Sequence, residues 1–206
     1  MKLSTFITVL LTGLFLVAGN LLANDPGQAV VGEKAPDFTL VDSNGVEHSL
    51  SDFEGSYVIL EWLNHECPFV RKFYNAGKMQ ELQQRYTEQG VVWLSIISSR
   101  EGEQGWMTAD QINAANQEKG AAATAVLIDE PGDVGRLYNA RTTPQMFIIT
   151  PDGTLVYDGA IDDKPTANPA DLDGAHNYVV AAMDALMNGE EIAVTTTRPY
   201  GCSVKY

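Results

Sequence analysis

Continuous apolar runs alternate with amphipathic stretches along most of this chain. Tyr57–Leu63 and Val91–Ile97 are unbroken apolar segments rich in β-branched and aromatic residues, the pattern of strands buried on both faces. Between them, the stretch from Pro68 to Gln89 has helical periodicity and predicts one helix. It opens on a proline in the first turn and closes at Gly90, with Gly77 marking a weak or kinked point. Thr108–Lys119 predicts a polar helix ended by Gly120, Ala125–Ile128 a third strand, and Pro131–Tyr138 a short helix. Gln145–Thr150 and Thr154–Ala160 flank Pro151-Asp152-Gly153 and predict a hairpin; Ala175–Met187 predicts a final amphipathic helix. Upstream, Ala35–Val41 and Val46–Leu50 flank Asn44-Gly45, a strong hairpin signal, and Ser51–Gly55 reads as one capped helical turn. Glu190–Tyr206 has no periodicity and reads as an irregular tail.

The order βαβ, α, then ββα calls for parallel strands joined by right-handed crossovers and a closing hairpin covered by a helix. The fold class is therefore α/β, a central mixed sheet flanked by helices on both faces. Cys67 falls at the carboxyl end of a central strand, where open α/β sheets place their sites. It also stands at a helix start. There, unpaired N–H groups and the helix dipole favour the thiolate, the nucleophilic form of cysteine. This reading expects an accessible, easily ionised sulfur. Protonated His65 would help, and the charges of Glu61 and Glu66 would oppose. A buried structural cysteine is the plainer alternative.

Composition narrows the function. There are 27 Asp and Glu against 13 Lys and Arg, for a net charge of −14, which argues against nucleic acid and anionic lipid as partners. Lys2, the apolar stretch Ile7–Ala18 and small residues at Ala18 and Ala23 predict an export signal over residues 1–23, cleaved after Ala23. The competing reading is an uncleaved anchor, which would give the only membrane contact. The protein is expected to be exported, periplasmic or otherwise extracytoplasmic. Its two cysteines are too few to build a disulfide scaffold. His65-x-Cys67 lacks the spacing of a zinc site, no phosphate-binding glycine loop is present, and neither metal nor cofactor is implied.

With these residues in hand, the chain from about residue 29 to 206 resembles the thioredoxin-fold redoxins of the alkyl hydroperoxide reductase/thiol-specific antioxidant group. It is similar to a peroxiredoxin-like bacterial branch ending much as this chain does, Arg198-Pro-Tyr-Gly-Cys202-Ser-Val-Lys-Tyr206. Gly32–Phe38 is similar to the usual opening of a redoxin, and Cys67 matches the family's attacking cysteine. Thr143-Pro144 matches the cis-proline loop that faces that cysteine and pairs with substrate backbone. Glu61 matches a buried carboxylate that manages protons beneath it. The departures are specific. Val70 replaces the second cysteine of Cys-x-x-Cys. Asn64 replaces the threonine of typical peroxiredoxins, and their second arginine falls near Pro144. Peroxidase activity is therefore expected to be weak or differently built.

The resemblance implies a thioredoxin-like redoxin domain over residues 24–189 and a tail over 190–206. It implies peroxide or disulfide as substrate, an external thiol reductant, and Cys67 as nucleophile. Cys202 is read as a resolving cysteine that condenses with oxidised Cys67. A permanent disulfide pinning the tail, worth about 4–5 kcal/mol in the chain-entropy picture, and an uninvolved thiol are the alternatives. A non-catalytic envelope binding or chaperone-like module remains the competing function.

Overall fold

The computed structural model describes residues 27–206. The expected export signal, residues 1–23, lies outside them. Seven strands form one mixed sheet: β1 (Thr39–Asp42), β2 (Glu47–Ser49), β3 (Val58–Trp62), β4 (Val92–Ile97), β5 (Ala125–Ile128), β7 (Gln145–Ile149) and β8 (Leu155–Gly159), in spatial order β2-β1-β5-β4-β3-β7-β8. β3 runs parallel to β4 and antiparallel to β7, so the strand that delivers Cys67 is central. The helices are α1 (Pro68–Asn75), α2 (Lys78–Thr87), α3 (Ala109–Lys119), α4 (Asp133–Leu137) and α5 (Tyr178–Met187).

Alternation along the central strands sorts the core into two layers. Ile59 and Leu63 of the β3 segment, Trp93 and Ile97 of β4, and Met146 and Ile148 of β7 face α1, α2, α5 and Ile112 of α3. Val58, Leu60, Trp62, Leu94, Ile96, Phe147 and Ile149 face α4 and the N-terminal segment. Glu61 shares the parity of Ile59 and Leu63, so the backbone carries its carboxylate into the first layer.

Two expected elements differ. The single helix over 68–89 is two helices, because Gly77 takes φ +73° and turns the chain before α2. A side chain at that φ would be strained. The tail is not irregular: Cys202–Ser203 forms β9, which pairs antiparallel with β6 (Thr142–Thr143) and aligns Cys202 with Thr143. A two-residue strand ending a chain without periodicity leaves no pattern to read. Its partner, 59 residues away, supplies the order.

Candidate active site

β3 ends at Trp62, and the chain turns through Asn64 before α1. Asn64 Oδ1 accepts from Glu66 N at 2.9 Å, its carbonyl accepts from Cys67 N at 3.0 Å, and its Nδ2 donates to Gln104 O at 3.2 Å. The residue that departs from the family threonine therefore holds this turn together. Cys67 is the N-cap of α1, extended at φ −68° and ψ 125°, with Pro68 following where a missing N–H costs nothing.

The sulfur is not accessible, contrary to expectation: Cys67 is 0% exposed. The cover is the tail. Pairing of β9 with β6 lays half-buried Cys202 over it, and both cysteines are unbridged. The Cys67 thiol donates to the Thr143 carbonyl at 3.1 Å. Burial works against charge on Cys67. Hydrogen bonds from the Cys202 thiol, the Val70 N–H and the Thr143 side chain outweigh it and hold the thiol below its ordinary pKa. Thr143 Oγ1 is buried and meets no competing acceptor among the described residues, which leaves its proton free to turn toward a thiolate. Cys202 moves the other way, pushed up to about 12 by burial, by donating to Cys67 and by the charge there, with Lys205 and Arg71 pulling back. The two shifts run in opposite directions, so Cys67 is the more readily ionised of the pair and Cys202 the one that holds its proton.

The tail is seated at several points. Val204 N donates to Arg141 O at 3.0 Å and Arg100 N to Lys205 O at 2.9 Å. The Tyr206 hydroxyl donates to Ala140 O at 2.6 Å, and its ring lies over Gly132 and Gly135, where any Cβ would collide with it. Thr197 Oγ1 accepts from Ala160 N at 2.8 Å and lies 2.8 Å from the Tyr157 hydroxyl.

The structure brings Cys67, Cys202, Thr143 and Pro144 together; the Thr143–Pro144 bond is cis. Glu61 belongs to a separate buried cluster. It is 0% exposed. It accepts from Ser95 Oγ at 2.8 Å, Trp93 Nε1 at 2.9 Å, Gln83 Nε2 at 3.1 Å and the Tyr74 hydroxyl at 3.1 Å. Burial raises its pKa, and these four donors oppose the rise. No hydrogen bond joins Glu61 to either thiol among the described residues; the Tyr74 ring, 5.3 Å from the His65 ring, is its nearest link toward the cysteine turn. Among the same residues no group of three or more His, Cys, Asp or Glu is placed to hold a metal.

His65 does not assist Cys67 as expected. It is buried, its Nε2 lies 3.4 Å from Asn116 Oδ1, its Nδ1 is without a partner among the described residues, and desolvation lowers its pKa to about 4, so it is neutral at pH 7. A histidine whose folded pKa lies below its unfolded 6.5 binds fewer protons when folded. Its contribution to stability is full above 6.5 and is lost as pH falls toward 4. Relative to a His65→Gln variant, the wild type should therefore lose of order 3 kcal/mol across that interval. Urea unfolding of both proteins at stepped pH measures this; parallel stability curves would refute it.

Three residues that sequence reasoning missed form a cluster between α1 and the tail that carries Cys202. Lys72 of α1 is buried and pairs with Asp162 at 3.4 Å, and Asp162 accepts from the Tyr200 hydroxyl. Lys72 reads in sequence as a solvated helix charge; only a lysine facing an apolar helix side could have hinted at burial.

A mixed sheet whose central strand ends in a helix-capping cysteine, set against the Thr143–Pro144 loop, defines a thioredoxin-fold redoxin. The chain belongs to the AhpC/TSA family, whose pattern matches residues 31–158. Thiol-disulfide oxidoreductase ResA of Geobacillus kaustophilus (strain HTA426) is 32% identical over 126 residues, covering 61% of this chain and 66%, just under two thirds, of that one. Thioredoxin-like protein YneN of Bacillus subtilis (strain 168) is 28% identical over 145 residues, 69% of this chain and 79% of that one. Among solved structures, an uncharacterized conserved protein from Geobacillus kaustophilus superposes with TM-score 0.73 at 25% identity, over 86% of this chain and 92% of that one. The thioredoxin domain of a thiol-disulfide oxidoreductase from Bacteroides vulgatus, at TM-score 0.51 and 21% identity over 64% of this chain and 89% of that one, shares the fold.

Proposed function

We propose that this protein is an exported thiol oxidoreductase in which Cys67 is the nucleophile and Cys202 the resolving cysteine. One observation carries the reading: the β6–β9 register sets Cys202 opposite Thr143, whose carbonyl the Cys67 thiol contacts at the start of α1. With a peroxide, the Cys67 thiolate attacks the outer oxygen, the O–O bond breaks, the alkoxide leaves as the alcohol after taking a proton, and Cys67 becomes a sulfenic acid. The Cys202 sulfur then displaces the hydroxyl, which leaves as water with the Cys202 proton, and the S–S bond forms. With a disulfide, the thiolate displaces one thiol, and Cys202 displaces the second from the mixed disulfide. Two equivalents of an external thiol return both cysteines to the reduced form and are themselves oxidised to a disulfide.

The tail already pairs with β6, the edge where an extended substrate would add. The reading therefore favours a small peroxide or small disulfide over a peptide, with Thr143 acting on the sulfur itself and Pro144 bordering the approach. Proton traffic from Glu61 would run through Tyr74, with which it shares a hydrogen bond. Residues 24–189 serve as the redox domain and 190–206 as its resolving arm.

Mass spectrometry of air-oxidised protein tests the pairing. A peptide joining Cys67 and Cys202, absent after reduction, is the expected result; oxidised protein in which Cys67 bears only stable higher acids would overturn it. Export rests on the apolar segment 7–18, and no described helix is long and apolar enough to cross a membrane. A mature N-terminus at Asn24 supports it, and one retaining Met1 speaks against cleavage. A non-catalytic binding module is the second reading, favoured by the complete burial of Cys67.

A further inference from the structure

The tail carries Cys202, but its deepest anchor lies two residues earlier. The ring of Tyr200 packs edge-on against Phe69 of α1, centroids 5.9 Å apart, and its hydroxyl donates to Asp162 Oδ1. Burial and the surrounding carboxylates raise the Tyr200 pKa far above its ordinary value, so that hydroxyl remains a donor. The other Asp162 oxygen faces Lys72 Nζ at 3.4 Å. Lys72 also donates to the Lys164 carbonyl at 2.9 Å and lies 5.7 Å from the centre of the Tyr200 ring. Lys72 and Asp162 expose 0% and 1% of their side chains.

An ion pair this deep is a poor source of stability, because desolvating both charges offsets their attraction unless every polar atom finds a partner. Asp162 Oδ1 also accepts from Lys164 N at 2.9 Å, so its set of donors is complete only with Tyr200 seated. If the tail lifts, the buried carboxylate loses a donor and Lys72 loses a ring. Lys72 stands on the helix whose first residue follows Cys67, and Tyr200 stands on the strand entry to Cys202. The cluster therefore couples the two sulfur-bearing segments directly and leaves the sulfurs untouched.

We infer that Lys72, Asp162 and Tyr200 form a buried clamp that positions Cys202 over Cys67, acting as positioning residues for closing and opening the disulfide. This rests on the Cys67–Cys202 pairing proposed above. The clamp raises the local concentration of one sulfur at the other, and that concentration sets the equilibrium between the thiol pair and the disulfide against an external thiol.

The test equilibrates the full chain in graded ratios of reduced and oxidised glutathione, quenches with acid and quantifies the intramolecular disulfide. Tyr200→Phe removes only the hydroxyl and keeps the ring. A hydrogen bond to a buried carboxylate is strong enough that the oxidation equilibrium constant should fall about tenfold or more. Tyr206→Phe frees the other end of the tail without touching the clamp, and its constant should stay within about threefold of wild type. Thermal melts of the reduced proteins confirm that all three are folded. A Tyr200→Phe constant equal to wild type overturns the clamp and leaves the pairing standing. A Tyr206→Phe loss as large as that of Tyr200→Phe also overturns it, since general tail anchoring would then suffice. A wild type that forms no disulfide at any ratio removes the pairing, and the clamp with it.

Discussion

Cys67→Ser should abolish turnover of both peroxides and small disulfides. The hydroxyl is nearly isosteric with the thiol, so the turn at Asn64, the cap of α1 and the contact with the Thr143 carbonyl can persist. What disappears is the acidity: a serine hydroxyl is not ionised near neutral pH, and it has no sulfenic or disulfide chemistry. Loss of activity with retained fold, checked by circular dichroism, is the expected outcome. Cys202→Ser should behave differently. Its Cys67 should still react once with each oxidant and then stall as a sulfenic acid or mixed disulfide, seen as a burst of one equivalent without further turnover. Undiminished steady-state turnover in Cys67→Ser would sink the catalytic reading. Absence of any activity in the wild type, together with no capture at Cys67 in Cys202→Ser, would favour the binding module.

Gly201→Ala should unseat the tail. Gly201 sits at φ +142°, where a side chain is strained, and a Cβ there would run into the Thr143 carbonyl. That carbonyl is the one Cys67 contacts, so the glycine allows β9 to lie close enough to β6 for the two sulfurs to meet. Strain of about 1–3 kcal/mol at one residue corresponds to about a fivefold to hundredfold loss in any equilibrium that needs the seated tail. The disulfide yield in a glutathione buffer should fall by that factor. Alkylation of Cys67 by iodoacetamide should rise about tenfold or more, because the cover over a fully buried sulfur is gone. The two readouts must move in opposite directions. If alkylation of Cys67 is unchanged, the tail does not gate the site.

These two experiments, with the glutathione equilibrium of Tyr200→Phe, separate three contributions that a single activity assay would merge. In the proposed reading Cys67 supplies the chemistry, Gly201 permits the approach, and the Lys72–Asp162–Tyr200 clamp sets how closely the second sulfur is held. The His65 pH dependence is independent of all three, since its cause is burial of a ring beside Asn116 rather than charge at the sulfur.

The parts of this protein legible in the sequence are those governed by local rules. Continuous apolar runs marked β3 and β4 as buried strands, and Asn44-Gly45 and Pro151-Asp152-Gly153 marked hairpins that form between β1 and β2 and between β7 and β8. Pro68 after Cys67 marked the start of α1, and with it the position of the proposed nucleophile. Glu61 in an apolar strand read either as a buried acid, as the resemblance implies, or as an edge residue; the central place of β3 buries it.

Contacts between segments far apart in sequence were not readable. Nothing local distinguishes Glu190–Tyr206 from a solvated tail; its strand exists because Thr142–Thr143 offers an edge and glycines at 132, 135, 159 and 201 admit close approach. The burial of Cys67, the neutrality of His65 and the ion pair of Lys72 follow from what packs against them. Side-chain desolvation and the distance between two thiols are properties of the assembled interior. Sequence determined which sulfur stands at a helix start. Tertiary structure decided what covers it, which partner lowers its pKa, and how near the second sulfur stands.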